Sequence, residues 1–250
     1  MIALIDQPYT VAGGGELRFD LFRPDTEQRL PLVLFLHGGG WISGCKEDIR
    51  ELAIEFAHQG YAAACCNYRL APLHPFPAPV EDVKTFLRFA RASSEDWNID
   101  PTKIAALGVS AGGFLAATLG VSADPESRAN VVVDLCGPVD LTRPHEQYLP
   151  IAWSYVDQLM GIDYDGNEKE FQAASPLWQL RPGLPPFLVI HGDADDVVPV
   201  QQSDTFVGAL RRLEIPVEYL RIKGADHSFS NGTFPGIERS ILGYLKDHFA

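Results

Sequence analysis

Ser110 stands at the centre of Gly108-Val109-Ser110-Ala111-Gly112, behind the apolar run Ile104-Ala105-Ala106-Leu107. The small-residue stretch Gly113-Phe114-Leu115-Ala116-Ala117-Thr118-Leu119 follows it. That order predicts a strand, a tight turn and a helix with a hydroxyl at the apex, which suits a nucleophilic serine. The glycines fit because such an elbow presses backbone segments together where a Cβ would collide. Taken alone, the same residues also describe a tightly packed strand-to-helix turn. The chemistry needs partners.

A serine hydroxyl needs a base to take its proton, and the base needs an acceptor that fixes its tautomer. Of seven histidines, His58 and His248 fall in helix-like segments, His74 in a proline-rich loop and His145 in a long excursion. His37 and His191 each precede a glycine at a strand end, where a ring hydrogen bond would brace the turn. His227, in Gly224-Ala225-Asp226-His227-Ser228-Phe229, follows the final strand by five residues and is the candidate base. Asp193, Asp195 and Asp196 compete to orient it, all three preserving the order serine, acid, histidine. Asp195 is preferred. Asp193 suits tying the turn after Gly192 but stays in competition, and Asp196 suits facing solvent.

The negative oxygen of a tetrahedral intermediate needs backbone N–H donors. Ala111 opens the helix behind the serine and adds the helix's positive end. The run Gly38-Gly39-Gly40 lets backbone approach from another strand end, with Gly39 and Gly40 as the candidate donors.

The elements that must position these groups alternate along the chain. Strands are expected over residues 17–22 (an early edge strand), 32–36, 61–66, 103–107, 131–136, 187–190 and 217–222. Helices are expected over residues 47–58, 80–92, 151–160, 203–213 and 236–249. Continuous apolar strands between amphipathic helices imply a mostly parallel sheet covered on both faces. Every loop after a strand's carboxyl end then lies along one rim, so Ser110, residues 37–41, the three acids and His227 should converge there. Residues 139–186 are longer than a simple crossover needs and are expected to form a small lid-like excursion over the serine. Trp41, Trp153 and Trp178 are candidate substrate-binding residues.

A chain of 250 residues, 46% hydrophobic and 21% charged, reads as one folded domain over residues 1–250. Its formal charge of -13, from 33 acids against 20 bases, disfavours nucleic acid and anionic membranes. No apolar run reaches the length of a membrane span, and the start lacks a basic, then apolar, export signal. A cytoplasmic location is the expectation, or secretion where such a signal has been removed. Three of the four cysteines lie in apolar stretches, and no Cys/His spacing suggests structural zinc.

Together these residues resemble the α/β-hydrolase superfamily, in particular its esterase/lipase group with an HGGG oxyanion motif. His37-Gly38-Gly39-Gly40-Trp41 matches that motif, and Gly108 to Gly113 matches its nucleophile elbow. Asn67-Tyr68-Arg69-Leu70-Ala71-Pro72 with Phe76-Pro77-Ala78-Pro79 is similar to its linking loop. His191-Gly192-Asp193-Ala194-Asp195-Asp196-Val197-Val198-Pro199 resembles its acid loop, in which the acid role falls on Asp195. The larger insertion after Asp140 looks more like the compact feruloyl and acetyl-xylan esterases. The resemblance implies hydrolysis of short acyl or hydroxycinnamoyl esters by Ser110, Asp195 and His227, with no metal or organic cofactor. The partner would be a small ester, among them plant-polysaccharide esters, and a homodimer is left open. An aryl formamidase acting on N-formylkynurenine has the same triad and is the alternative. A noncatalytic binding protein on the same scaffold is the rival of a different class.

Overall fold

The computed structural model describes residues 1–142, 150–230 and 232–250, and only the backbone of residues 150 and 151. Its strands are β1 (Ile2–Ala12), β2 (Gly15–Arg23), β3 (Leu30–Leu36), β4 (Ala62–Cys66), β5 (Ile99–Val109), β6 (Val131–Leu135), β7 (Phe187–Gly192) and β8 (Val217–Ile222). They form one sheet in the order β1-β2-β4-β3-β5-β6-β7-β8. The pairs β1–β2 and β2–β4 are antiparallel, and all the others are parallel. The described helices are α1 (Arg50–His58), α2 (Ala78–Ala92), α3 (Ser94–Trp97), α4 (Ala111–Val121), α5 (Pro150–Met160), α6 (Glu168–Ala174), α7 (Gln201–Arg212) and α8 (Phe234–Phe249). This is the α/β-hydrolase arrangement that the sequence implied.

The central strands are apolar throughout because both faces of the sheet are covered. Along β3, Leu32, Leu34 and Leu36 point into one core with Phe86 of α2 and Phe114 of α4. Val33 and Phe35 point into the opposite core with Phe56 of α1 and Ile241 of α8. Helix α4 is buried at all eleven of its positions, which explains its small and apolar residues. None of the described helices is long and apolar enough to cross a membrane.

Three expectations need correction. Residues 17–22 are not an edge: β2 is flanked by β1, whose pattern the sequence hid. Strand β1 is interrupted by bulges between Leu4 and Gln7 and between Pro8 and Thr10, and only Tyr9 is buried in it, so no alternation survives. Pro8 is tolerated because an edge strand has one unpaired side. The helix expected over residues 47–58 is a 3-10 turn, Lys46–Ile49, leading into a shorter α1. The strand before the serine starts earlier, at Ile99, because Ile99 pairs with Leu30.

The excursion over residues 139–186 carries α5, α6 and a 3-10 turn, Pro176–Gln179. His145 lies outside the described residues.

Candidate active site

Ser110 occupies the turn between β5 and α4 with φ 56 and ψ -121, a conformation that costs a non-glycine residue on the order of 1–3 kcal/mol. The surroundings hold it there. Its N–H donates to the Leu135 carbonyl at 2.8 Å, and its own carbonyl accepts from Phe114 N–H at 3.0 Å. A Cβ on Gly108 would fall on the Gly112 carbonyl, and one on Gly112 would fall on the Leu36 carbonyl. Those two approaches are why glycine flanks the serine on both sides.

Asp134, on β6 opposite Gly108, supports the elbow from below. Its Oδ1 accepts from Gly137 N–H at 2.9 Å and fills the space beside Gly113, while its Oδ2 is buried with no partner among the described residues. Burial pushes this carboxyl up to about 7, against the opposing pull of the Gly137 N–H. An unfolded aspartate ionises near pH 4, so the native protein loses stability as pH rises through that window, by up to about 1.4 kcal/mol per unit. Asp134→Asn cannot ionise and should remove the slope. The variant's stability relative to native should climb from about pH 4 to about pH 7 and then stay level. Urea unfolding across this range tests it; a constant difference would contradict the burial argument.

The histidine and acid reach the elbow from neighbouring strand ends. His227, in the loop after β8, places Nε2 3.0 Å from Ser110 Oγ and Nδ1 2.7 Å from Asp195 Oδ2. A carboxylate only accepts, so Nδ1 carries the proton and Nε2 is left to accept from the serine hydroxyl. Asp195 Oδ1 accepts from the N–H groups of Val197 and Val198, both at 2.8 Å. Its side chain is fully enclosed. Burial works against the charge, but hydrogen bonds from His191 and His227 outweigh it and hold the carboxyl well below its usual range. Asp193 instead accepts from Gly224 N–H at 2.6 Å, and Asp196 is exposed. Of the three competing acids, Asp195 alone meets His227.

The glycine run faces the same cavity. Gly39 and Gly40 have φ +107 and +59, and a Cβ on Gly40 would lie 2.8 Å from the ring of Tyr155 on α5. Among the described residues, no protein acceptor takes the N–H groups of Gly39, Gly40 or Ala111. His37 anchors the run: its Nδ1 lies 2.8 Å from the Gly38 carbonyl, and its ring stacks on Tyr68 at 4.2 Å. Burial lowers the pKa of His37, which favours a neutral ring. The Tyr68 hydroxyl donates to the His37 carbonyl at 2.9 Å. The sequence signal for Tyr68 is its place in the linking-loop motif, and that for Tyr155 is its place in the lid-like excursion expected over the serine, where the structure puts it.

Ser110, His227, Gly39, Gly40 and Ala111 line one cavity of about 410 Å³. Its walls are largely apolar, built by Trp41, Ile42, Tyr155, Val156, Val197 and Val198 among others, and no described lining residue is Asp, Glu, Lys or Arg. Trp41 is one of these wall residues and packs against Phe114 at 5.2 Å. Trp153 and Trp178 do not line it. Trp153 packs on Phe171 and Tyr164 at 6.1 and 6.2 Å, and Trp178 is 55% exposed with its Nε1 donating to Asp140. Residues 163–170 are also absent from the described lining. Cys136 Sγ lies with the Asp195 and His227 donor atoms inside 4.8 Å, the one such cluster among the described residues. The carboxylate and imidazole of that cluster are already engaged with each other.

A mostly parallel sheet carrying a serine elbow after β5, an acid after β7 and a histidine after β8 defines an α/β-hydrolase with a Ser-His-Asp site. The family model described as BD-FAE matches residues 19–210, and the chain belongs to that family. Esterase LipC of Mycobacterium tuberculosis is 35% identical over 217 residues, covering 80% of this chain and 53% of LipC. Esterase LipQ of the same organism is 34% identical over 242 residues, covering 90% and 56%. The chain thus spans about half the length of the curated relatives it matches. Among solved structures, butyrate-bound Thermogutta terrifontis esterase 2 superposes with a TM-score of 0.79 at 27% identity, covering 98% of this chain and 92% of that one.

Proposed function

We propose that this chain is a serine carboxylesterase for small, uncharged esters, with short acyl and hydroxycinnamoyl groups as the acids released. The observation that carries the reading is the hydrogen-bonded line from Ser110 through His227 to Asp195, opening on an apolar cavity. Ser110 Oγ attacks the ester carbonyl carbon while His227 Nε2 takes its proton. The N–H groups of Gly39, Gly40 and Ala111 receive the oxyanion. Collapse of the tetrahedral intermediate breaks the ester C–O bond, and the imidazolium protonates the departing alcohol. Water, deprotonated by His227, then attacks the acyl-serine; the bond from the acyl carbon to Ser110 Oγ breaks, Oγ takes the proton back from the imidazolium, and the acid leaves. Asp195 stabilises the imidazolium in both halves.

A cavity of about 410 Å³ lies within the size range of small-molecule sites, roughly 300–1,000 Å³. Its described walls have no charged partner for the carboxylate and ammonium of N-formylkynurenine, which favours the ester over the formamide. A panel of p-nitrophenyl acetate, p-nitrophenyl butyrate, methyl ferulate and N-formylkynurenine tests the assignment, together with labelling by a fluorophosphonate. Ester turnover with label on Ser110 is the expected result. Formamide turnover without ester turnover would move the protein to the formamidases, and absence of both turnover and label in folded protein would leave a binding role.

A further inference from the structure

We propose that His191 is a positioning residue that holds Asp195 in register with His227; the inference rests on the esterase reading above. Its ring closes β7, is fully buried and reaches three groups. Nδ1 lies 2.7 Å from Ser203 Oγ on α7. Nε2 lies 2.8 Å from the Val198 carbonyl and 3.1 Å from Asp195 Oδ2.

These contacts set the tautomer. A carbonyl oxygen only accepts, so in the neutral ring Nε2 carries the proton and Nδ1 accepts from the Ser203 hydroxyl. The Nε2–H then acts on the acid from two sides. Directly, it approaches Asp195 Oδ2, the same oxygen that His227 uses at 2.7 Å. Indirectly, it holds the carbonyl of Val198, whose N–H donates to Asp195 Oδ1 at 2.8 Å. Both carboxylate oxygens are therefore tied, through one ring, to the end of a strand that is paired on both sides.

The loop needs such a tie. Ala194 and Asp193 are exposed, and the backbone bonds of this turn hold only its base: Asp193 N–H to Ile222, Ala194 N–H to Ala225 and Asp195 N–H to Gly192. His191 is the side chain that joins the far side of the turn, Val198, to the sheet. Losing it would leave the carboxylate enclosed with less to fix its rotation, and the His227 ring would lose its fixed aim at Ser110. Because Val197 and Val198 are also cavity walls, a purely structural disturbance would show in substrate binding, whereas loss of aim would show in turnover.

The test compares His191→Leu, His191→Gln and Ser203→Ala with native protein. It reads kcat and KM on p-nitrophenyl butyrate and the low-field proton NMR resonance of His227 Nδ1–H. In His191→Leu, kcat should fall on the order of 10- to 100-fold with KM within about twofold, and the resonance should move upfield. His191→Gln, whose amide N–H can reach the same acceptors, should recover most of both signals. Ser203→Ala keeps the ring and its Nε2–H tautomer, which Val198 and Asp195 still demand, but removes the hydroxyl that holds Nδ1 in place, and should shift both readouts the same way by a smaller amount. Native kcat in a folded His191→Leu protein, or lost activity with an unmoved resonance, would overturn the proposal. If His191→Leu fails to fold, an unchanged kcat and resonance in Ser203→Ala overturns it instead. Absence of turnover in the native protein would sink the esterase reading alone, since the resonance reports on the Asp195–His227 bond without substrate.

Discussion

Ser110→Ala should lower kcat for p-nitrophenyl esters by roughly 10⁴- to 10⁶-fold, leaving KM and the unfolding midpoint close to native. The alanine removes Oγ, the only described side-chain nucleophile within 3.0 Å of His227 Nε2. It adds no bulk to a turn whose backbone is already held by Leu135 and Phe114. Residual turnover would come from water activated by His227 beside an intact oxyanion site. Steady-state kinetics with a fluorophosphonate control measures the effect. A loss of less than tenfold, with label still bound elsewhere, would mean that another residue attacks.

The second large effect is Asp195→Asn, expected to cost on the order of 10⁴ in kcat without unfolding the protein. The amide oxygen can stay where Oδ1 now accepts from Val197 and Val198 N–H at 2.8 Å. The amide nitrogen must then stand at the Oδ2 position, facing His227 Nδ1. Two N–H groups cannot bond each other, so His227 turns to the tautomer with Nδ1 bare and Nε2 protonated. That tautomer presents a donor to Ser110 Oγ and cannot take its proton. The same nitrogen also opposes the Nε2–H of His191 at 3.1 Å, which adds to the mismatch. Kinetics paired with a crystal structure of the variant checks both parts. Near-native kcat would mean that Asp195 is a structural acid and that the imidazole is oriented by something else.

Much of the architecture could be read in advance because its signals are local. The run Leu32-Val33-Leu34-Phe35-Leu36 is apolar at every position, and only a strand buried on both faces needs that. Gly108 and Gly112 are demanded by contacts within a few residues of Ser110 and by one carbonyl of β3. Strand β1 escaped because its two bulges scramble the alternation that marks a half-buried strand. Residue type and segment are all that mark the tryptophans in the sequence. Trp153 belongs to an aromatic cluster with Phe171 and Tyr164, a partnership set by how α5 and α6 pack, and no spacing announces it.

The residue order alone settled the alternation of strands and helices, the serine at a forced turn and a histidine beyond the last strand. Each of these follows from sterics or periodicity acting over a few positions. It left Asp193 in competition with Asp195, since both follow the same strand and carry the same carboxylate. Folding separated them: one oxygen of Asp193 ties Gly224, while Asp195 turns inward to four N–H groups and the imidazole line. The burial of Asp134 beneath the elbow and the reach of Tyr155 to Gly40 have the same origin. A hydrogen bond or a dry environment depends on atoms that meet only when strands distant in the chain lie side by side.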